Sequence, residues 1–193
     1  MQPLRREFYR RDPRLVAPAL LGKVLVAGAR SGRIVEVEAY CGDLDPAAHS
    51  YRNRSARNEV MFGPAGHLYV YFTYGMHWCA NAVCGEIDEG VAVLLRALAP
   101  LTGLDAMRRA RGGVDDRDLC RGPARLCQAL GLDRGHDGAD LVTGGGGVWI
   151  GDDGVRSPAD PVVTTRVGLS RNADAPWRWY VSGSRFVSRP VRG

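Results

Sequence analysis

The sequence predicts a single α+β domain: a curved, mostly antiparallel β-sheet flanked by helices, with one protruding β-hairpin. Three stretches carry that expectation. His67–Val83 reads as two β-runs rich in Tyr, Val and Phe, joined by a tight turn at Tyr74-Gly75. Arg33–Tyr40 alternates strictly, as a strand with two distinct faces does. Val91–Leu98 is a continuous apolar run, suited to a strand covered on both sides. At 193 residues and 45% apolar, the chain fits one domain with a sizeable core.

Taken in order, Arg5–Arg11 is basic and expected to be exposed. Asp12 as N-cap and Pro13 at the first helical position open a helix that runs through Leu21 despite Pro18 and ends at Gly22. Lys23–Ala27 is a short strand, Gly28–Gly32 a turn and Arg33–Tyr40 the next strand. There Val35, Val37 and Ala39 share one face, and Glu36, Glu38 and Tyr40 the other. That second face is either a solvated surface or the wall of a site. Gly42–Pro46 turns, and Asp45-Pro46 can start one helical turn carrying His49. Tyr51–Asn58 is basic, with Arg52, Arg54 and Arg57.

In the hairpin Leu68, Val70 and Phe72 point one way, as a core set. Tyr69, Tyr71 and Thr73 point the other, as a surface on which something can stack. Tyr74 sits at the turn, where burial gains little. Either this is a core hairpin with a chance tyrosine at its tip, or it is a device for opening something. Arg96 interrupts an apolar strand and needs either a buried carboxylate or a ligand.

Thr102–Arg111 is an amphipathic helix with a basic end. Gly122-Pro123 opens another helix, which Gly131 caps. Gly144–Gly147 lacks a following Lys-Ser/Thr and is a flexible connection, not a phosphate loop. Val148–Ile150, Val162–Val167 and Phe186–Ser188 are late strands. Trp177–Val181 packs near them as a short helix or strand.

Net charge is +5, and Lys23 is the only lysine among 26 basic residues. An arginine bias follows from a GC-rich coding habit, and it also suits phosphate contact through the guanidinium fork. The five cysteines are odd in number and lack zinc-site spacing. They read as reduced, buried thiols of a cytosolic protein, with Cys79 packed inside the hairpin. No apolar run reaches transmembrane length, and no signal peptide is apparent. No Cys or Ser carries an activating pattern, and Lys23 has no context for imine chemistry. No metal and no cofactor are expected.

Three strands thus offer chemically loaded faces: Glu36/Glu38/Tyr40, Tyr69/Tyr71, and Asn81 with Arg96. His49 lies on a connection between them. If the faces converge, they form an aromatic pocket with a carboxylate at its wall. Such a pocket suits a flat, electron-poor ring, and the carboxylate can take a proton from water.

Glu36-Val37-Glu38-Ala39-Tyr40, Ala48-His49-Ser50, Arg57-Asn58 before Met61-Phe62, Leu68-Tyr69-Val70-Tyr71 with Tyr74-Gly75-Met76 and Asn81, Leu94-Leu95-Arg96-Ala97, Leu126-Cys127-Gln128-Ala129-Leu130 and Arg166-Val167-Gly168 occur in this order. Together they resemble the alkyladenine (3-methyladenine) DNA glycosylase family, and the resemblance covers nearly the whole chain. It implies one DNA glycosylase domain over residues 1–193, with a DNA-inserting hairpin. Glu38 matches the general base that activates water for attack at C1′, and Arg96 the arginine that supports that water and a phosphate. Tyr40, His49 and Tyr71 match the walls that hold the extruded base. Asn81 matches the residue that disfavours the exocyclic amine of normal guanine. Tyr74 matches the wedge that fills the gap in the duplex. Met76 and His77 match minor-groove contacts, and Arg57 a further DNA contact.

The activity so implied is excision of alkylated purines (3-methyladenine, 7-methylguanine, with hypoxanthine or ethenoadenine as candidates) from duplex DNA. The enzyme would be a monofunctional, cytoplasmic monomer, nucleoid-associated if bacterial, with no membrane partner, leaving an abasic site. A non-catalytic nucleic-acid binder and a glycosylase for bulky adducts are the rival readings. The chain departs from the family at Asn53–Asn58, where Gly-Arg-Thr-Pro-Arg-Asn is usual, which leaves open that loop's shape and any base or phosphate contact it makes. His77 stands where some members have tyrosine.

Overall fold

The computed structural model describes residues 1–73 and 75–191, so Tyr74 lies outside the described residues. Among the described residues nine strands pair, all in antiparallel fashion. They are β1 (Gln2–Pro3), β2 (Val24–Ala27), β3 (Arg30–Cys41), β4 (Leu68–Thr73), β5 (His77–Cys84), β6 (Val91–Thr102), β7 (Val148–Asp152), β8 (Val162–Thr164) and β9 (Arg178–Tyr180). The main order is β1-β7-β2-β3-β6-β5-β4, with β9 joining β3 and β8 joining β9. The helices are α1 (Arg6–Tyr9), α2 (Pro13–Leu20), α3 (Leu104–Ala110) and α4 (Pro123–Leu130).

The long strand β3 organises the sheet. One edge pairs with β6 from Ser31 to Cys41. On the other edge β2 covers Arg30–Arg33, and β9 takes over at Glu36–Glu38. The β3–β6 register shifts around Glu36, and such bulges bend and twist a strand. The curl therefore begins where the glutamates do. Gly32 is required at the narrow part of this pairing, because a Cβ there would lie 2.9 Å from Cβ of Leu98.

Both faces of β3 are covered. Val37 and Ala39 join the main core with Leu20, Leu95, Leu98 and Leu126. Glu36 and Glu38, on the opposite face, are also fully buried, which removes the solvated-face reading. A smaller apolar cluster of Met61, Phe62, Tyr69, Val83 and Ala92 supports a separate layer.

The Asp12 cap accepts from the Arg14 N–H at 2.7 Å, and Gly131 closes α4 at φ +75°, both as the sequence predicts. Other expectations are corrected. Arg5, Arg10 and Arg11 are exposed as expected, but the middle of the stretch folds into α1 and buries Tyr9. The β2–β3 turn is only Gly28-Ala29, since Arg30 to Gly32 already pair with β2. The segment carrying His49 is a chain of turns, and the one helical turn nearby is Gly42–Leu44. β6 extends to Thr102, so α3 starts only at Leu104, after Gly103 at φ +75°.

Phe186–Ser188 is not a strand. Its backbone is engaged by side chains instead: Arg121 Nε donates to Val187 O at 2.8 Å, and the Ser188 N–H donates to Glu36 at 2.6 Å. Trp177–Val181 resolves as β9. Phe72 is 40% exposed and does not join the core, because by that position β4 has run beyond the body; it packs on Trp78 at 4.7 Å. Tyr69, expected on an open face, is buried in the small cluster.

Candidate active site

A carboxylate on a strand is stable out of water only with matched donors. Here β3 and β6 bring Glu36, Glu38 and Arg96 together, and one guanidinium bridges both acids. Arg96 Nε lies 2.8 Å from Glu36 Oε1, and Arg96 Nη1 lies 3.2 Å from Glu38 Oε2. The bland expectation for Arg96, a buried carboxylate partner, is therefore met twice. Glu36 gains a second cation, Arg178 Nε at 2.9 Å, and two donors from Ser188. Burial pushes the Glu36 carboxyl up, but Arg96, Arg178 and the Ser188 N–H outweigh it and hold it below the ordinary carboxylate range.

That shift fixes a sign. A carboxylate depressed in the folded state stabilises the fold above its ordinary value, and this contribution is lost as pH falls through the depressed value. Thermal melts of wild type and Glu36→Gln should therefore differ most near neutrality. The gap should narrow as pH drops below about 4. A gap that stays constant across that range would contradict the ion-pair account.

Glu38 Oε1 accepts from the Val167 N–H at 2.7 Å, and Oε2 from the Tyr40 hydroxyl at 3.1 Å. Burial first, then the Glu38 charge, pushes the Tyr40 phenol upward, so it stays protonated and donating. Tyr40, Arg96 and Val167 all line a cavity of about 230 Å³, together with His49, Tyr71 and Asn81. Glu38 lies immediately behind these three partners. Five residues singled out in the sequence thus share one cavity, with the sixth at its back.

The opposite wall is aromatic. Tyr69 and Tyr71 stack at 5.4 Å, and His49 meets Tyr71 edge-on at 4.4 Å. Loss of solvation against these rings, and then the Arg57 charge, holds the His49 imidazole below its ordinary value, which keeps it neutral at pH 7. Asn81 is buried and donates to the Tyr69 carbonyl across the hairpin at 3.2 Å. Cys79 also lines the cavity, but burial raises its thiol pKa, so it stays a thiol and no nucleophile. All five cysteines are free and buried. Among the described residues no cluster of three or more metal-ligating side chains occurs.

Met76, His77 and Arg57 stand outside the cavity. Met76 and His77 are exposed at the hairpin end, and exposed Arg57 donates to the Phe72 carbonyl at 2.6 Å. The predicted wedge Tyr74 lies outside the described residues.

Sequence reasoning missed several partners. The donor on Val167 is a backbone group and leaves no side-chain signal. Ser188 and Arg178 reach Glu36 from the far end of the chain. The loop that departs from the family pattern is built on Asn58, which donates to His49 O and Asn53 O, each at 2.9 Å, and accepts from the Ser55 N–H at 2.8 Å. One buried amide thus shapes the loop without the Thr-Pro pair. Its readable signal is an asparagine three residues after a serine.

A family model described as methylpurine-DNA glycosylase matches residues 7–185. A Burkholderia lata protein is 57% identical over 190 residues, covering 97% of this chain and 92% of the relative. A Rhodopseudomonas palustris protein is 47% identical over 192 residues (98% and 92%), and one from Carboxydothermus hydrogenoformans 47% over 190 (96% and 98%). Each of the three bears the name "Putative 3-methyladenine DNA glycosylase".

Proposed function

The chain belongs to the methylpurine-DNA glycosylase family, and from that premise we propose that it is a base-excision repair enzyme releasing alkylated purines from duplex DNA. The observation that carries this reading is the aromatic cavity with the buried Glu38 carboxylate held at its back by Tyr40, Arg96 and Val167.

A base inside a duplex is out of reach, so the nucleotide must be extruded, at a cost of roughly a few kcal/mol. Tyr74 is the candidate wedge that takes the vacated space, with Met76, His77 and Arg57 as flanking DNA contacts. Alkylation at N3 or N7 makes the purine cationic, and the faces of Tyr71 and Tyr40 favour that charge. Asn81 limits entry of a normal guanine.

Counting acceptor positions supports a water on Glu38. A carboxylate has about four lone-pair sites. Oε1 accepts one hydrogen bond, from the Val167 N–H, and Oε2 one, from Tyr40, with Arg96 as its ion-pair partner. The lone pairs left over give a water an acceptor on Glu38. Glu38 takes its proton as the water attacks C1′, and the carboxylate charge favours the oxocarbenium-like sugar. Arg96 donates to Glu36 and Ser188 and pairs with Glu38, so its role in this scheme is to brace the general base. Lys23, the one lysine, is engaged by Asp152 at 2.6 Å on the β2–β7 side of the sheet. That pairing supports a monofunctional enzyme that leaves the abasic strand intact. No helix among the described residues is long and apolar enough to cross a membrane. We place the enzyme in the cytoplasm, with DNA, as a monomer.

The test is release of free base from duplexes carrying 3-methyladenine, 7-methylguanine, hypoxanthine or 1,N6-ethenoadenine. The cationic purines should leave fastest, and strands should break only after alkali. Release of none of these bases defeats the reading. Scission without alkali defeats the monofunctional part alone.

A further inference from the structure

The Arg166 side chain of the Arg166-Val167-Gly168 motif has no part in the scheme above, and it is wholly buried. Its guanidinium grips Asp45 with two hydrogen bonds, Nη1 to Oδ2 at 2.5 Å and Nη2 to Oδ1 at 2.9 Å. Nη1 also donates to the Ala39 carbonyl at 3.0 Å, on the residue between Glu38 and Tyr40. Its Cζ lies over two rings, 4.7 Å from the centre of Tyr40 and 5.0 Å from that of Trp177. The next residue, Val167, supplies the N–H that Glu38 Oε1 accepts.

We propose that Arg166 is a positioning residue for base hydrolysis, setting through one buried guanidinium both the cavity face of Tyr40 and the Val167 donor that orients Glu38. This deepens the glycosylase reading and rests on it. Three contacts converge on that role. The grip on Asp45 anchors the segment that carries Val167 N–H. The bond to Ala39 O fixes the backbone between the base and Tyr40. The sandwich with Trp177 keeps the Tyr40 ring upright against the cavity. A planar, five-donor group is needed here, because lysine could pair with Asp45 but could neither stack flat nor reach Asp45 and Ala39 in the same fork.

The experiment measures single-turnover base release from a 7-methylguanine duplex at saturating enzyme, with active fraction titrated by a duplex carrying an abasic-site analogue. Arg166→Lys should keep the fold and bind the analogue within a few-fold of wild type. Its release rate should fall by about 30-fold, the scale on which small misplacements of reacting groups act. A near-wild-type rate overturns the proposal, as does a loss that vanishes once rates are normalised to active enzyme. Should Arg166→Lys not fold, Trp177→Leu removes only the outer plate of the sandwich. A several-fold slower release, again with binding kept, is then expected, and an unchanged rate overturns the proposal. Absence of release by wild type would instead defeat the glycosylase reading itself.

Discussion

Glu38→Gln should slow single-turnover base release by about a thousand-fold or more, within the range by which a positioned general base accelerates a reaction. The substitution keeps shape but fails twice. An amide cannot take the proton from water. Its NH2 group must also face donors whichever way it turns, Val167 N–H on one side or Tyr40 and Arg96 on the other. Binding to damaged duplex should persist within a few-fold, because the cavity wall and hairpin are untouched. This outcome separates an enzyme from a binding module that uses the same aromatic surface. For the binding module Glu38→Gln would alter only electrostatics, and a wild-type release rate in this variant would rule out the mechanism.

The second large effect belongs to Arg96→Met. Removing one member of a buried ion network leaves an uncompensated charge and costs about 3–5 kcal/mol. For a chain of this size that is about 10 °C in Tm. Glu36 keeps Arg178 and Ser188, whereas Glu38 loses its one ion-pair partner among the described residues. The loss should therefore be partly reversed by adding Glu38→Gln, a non-additivity that a double-mutant cycle reads directly. Breaking the exposed Arg10–Glu86 pair should move Tm very little by comparison. If Arg96→Met melts like that surface variant, the network is not what holds the site.

What could be read from the sequence was the part with period and polarity. Alternation placed Glu36, Glu38 and Tyr40 on one face of a strand, and the structure keeps them there. The cap at Asp12 and the glycine after α4 marked helix ends. The convergence of Tyr40, His49, Tyr71, Asn81 and Arg96 was a conditional expectation, and one cavity meets it. The illegible part depended on contacts without local pattern. Nothing around Ser188 says that it will cap Glu36, and nothing in Val167 marks its N–H. Alternation also gave Phe72 to the core, because it reports which way a side chain points and not how far the core extends.

The distance along the chain at which the site closes has a consequence for its making. Glu36 is joined by Arg178 across 142 residues and by Ser188 across 152, and Glu38 by Val167 across 129. A ribosome delivers these partners well over a hundred residues after the glutamates. Until they emerge, the nascent chain carries two acids with no complete set of donors, so the cavity cannot settle early. Contacts of such long sequence separation also slow folding. Closure of this cavity is therefore a late event of synthesis, reached only when Val167, Arg178 and Ser188 return to β3.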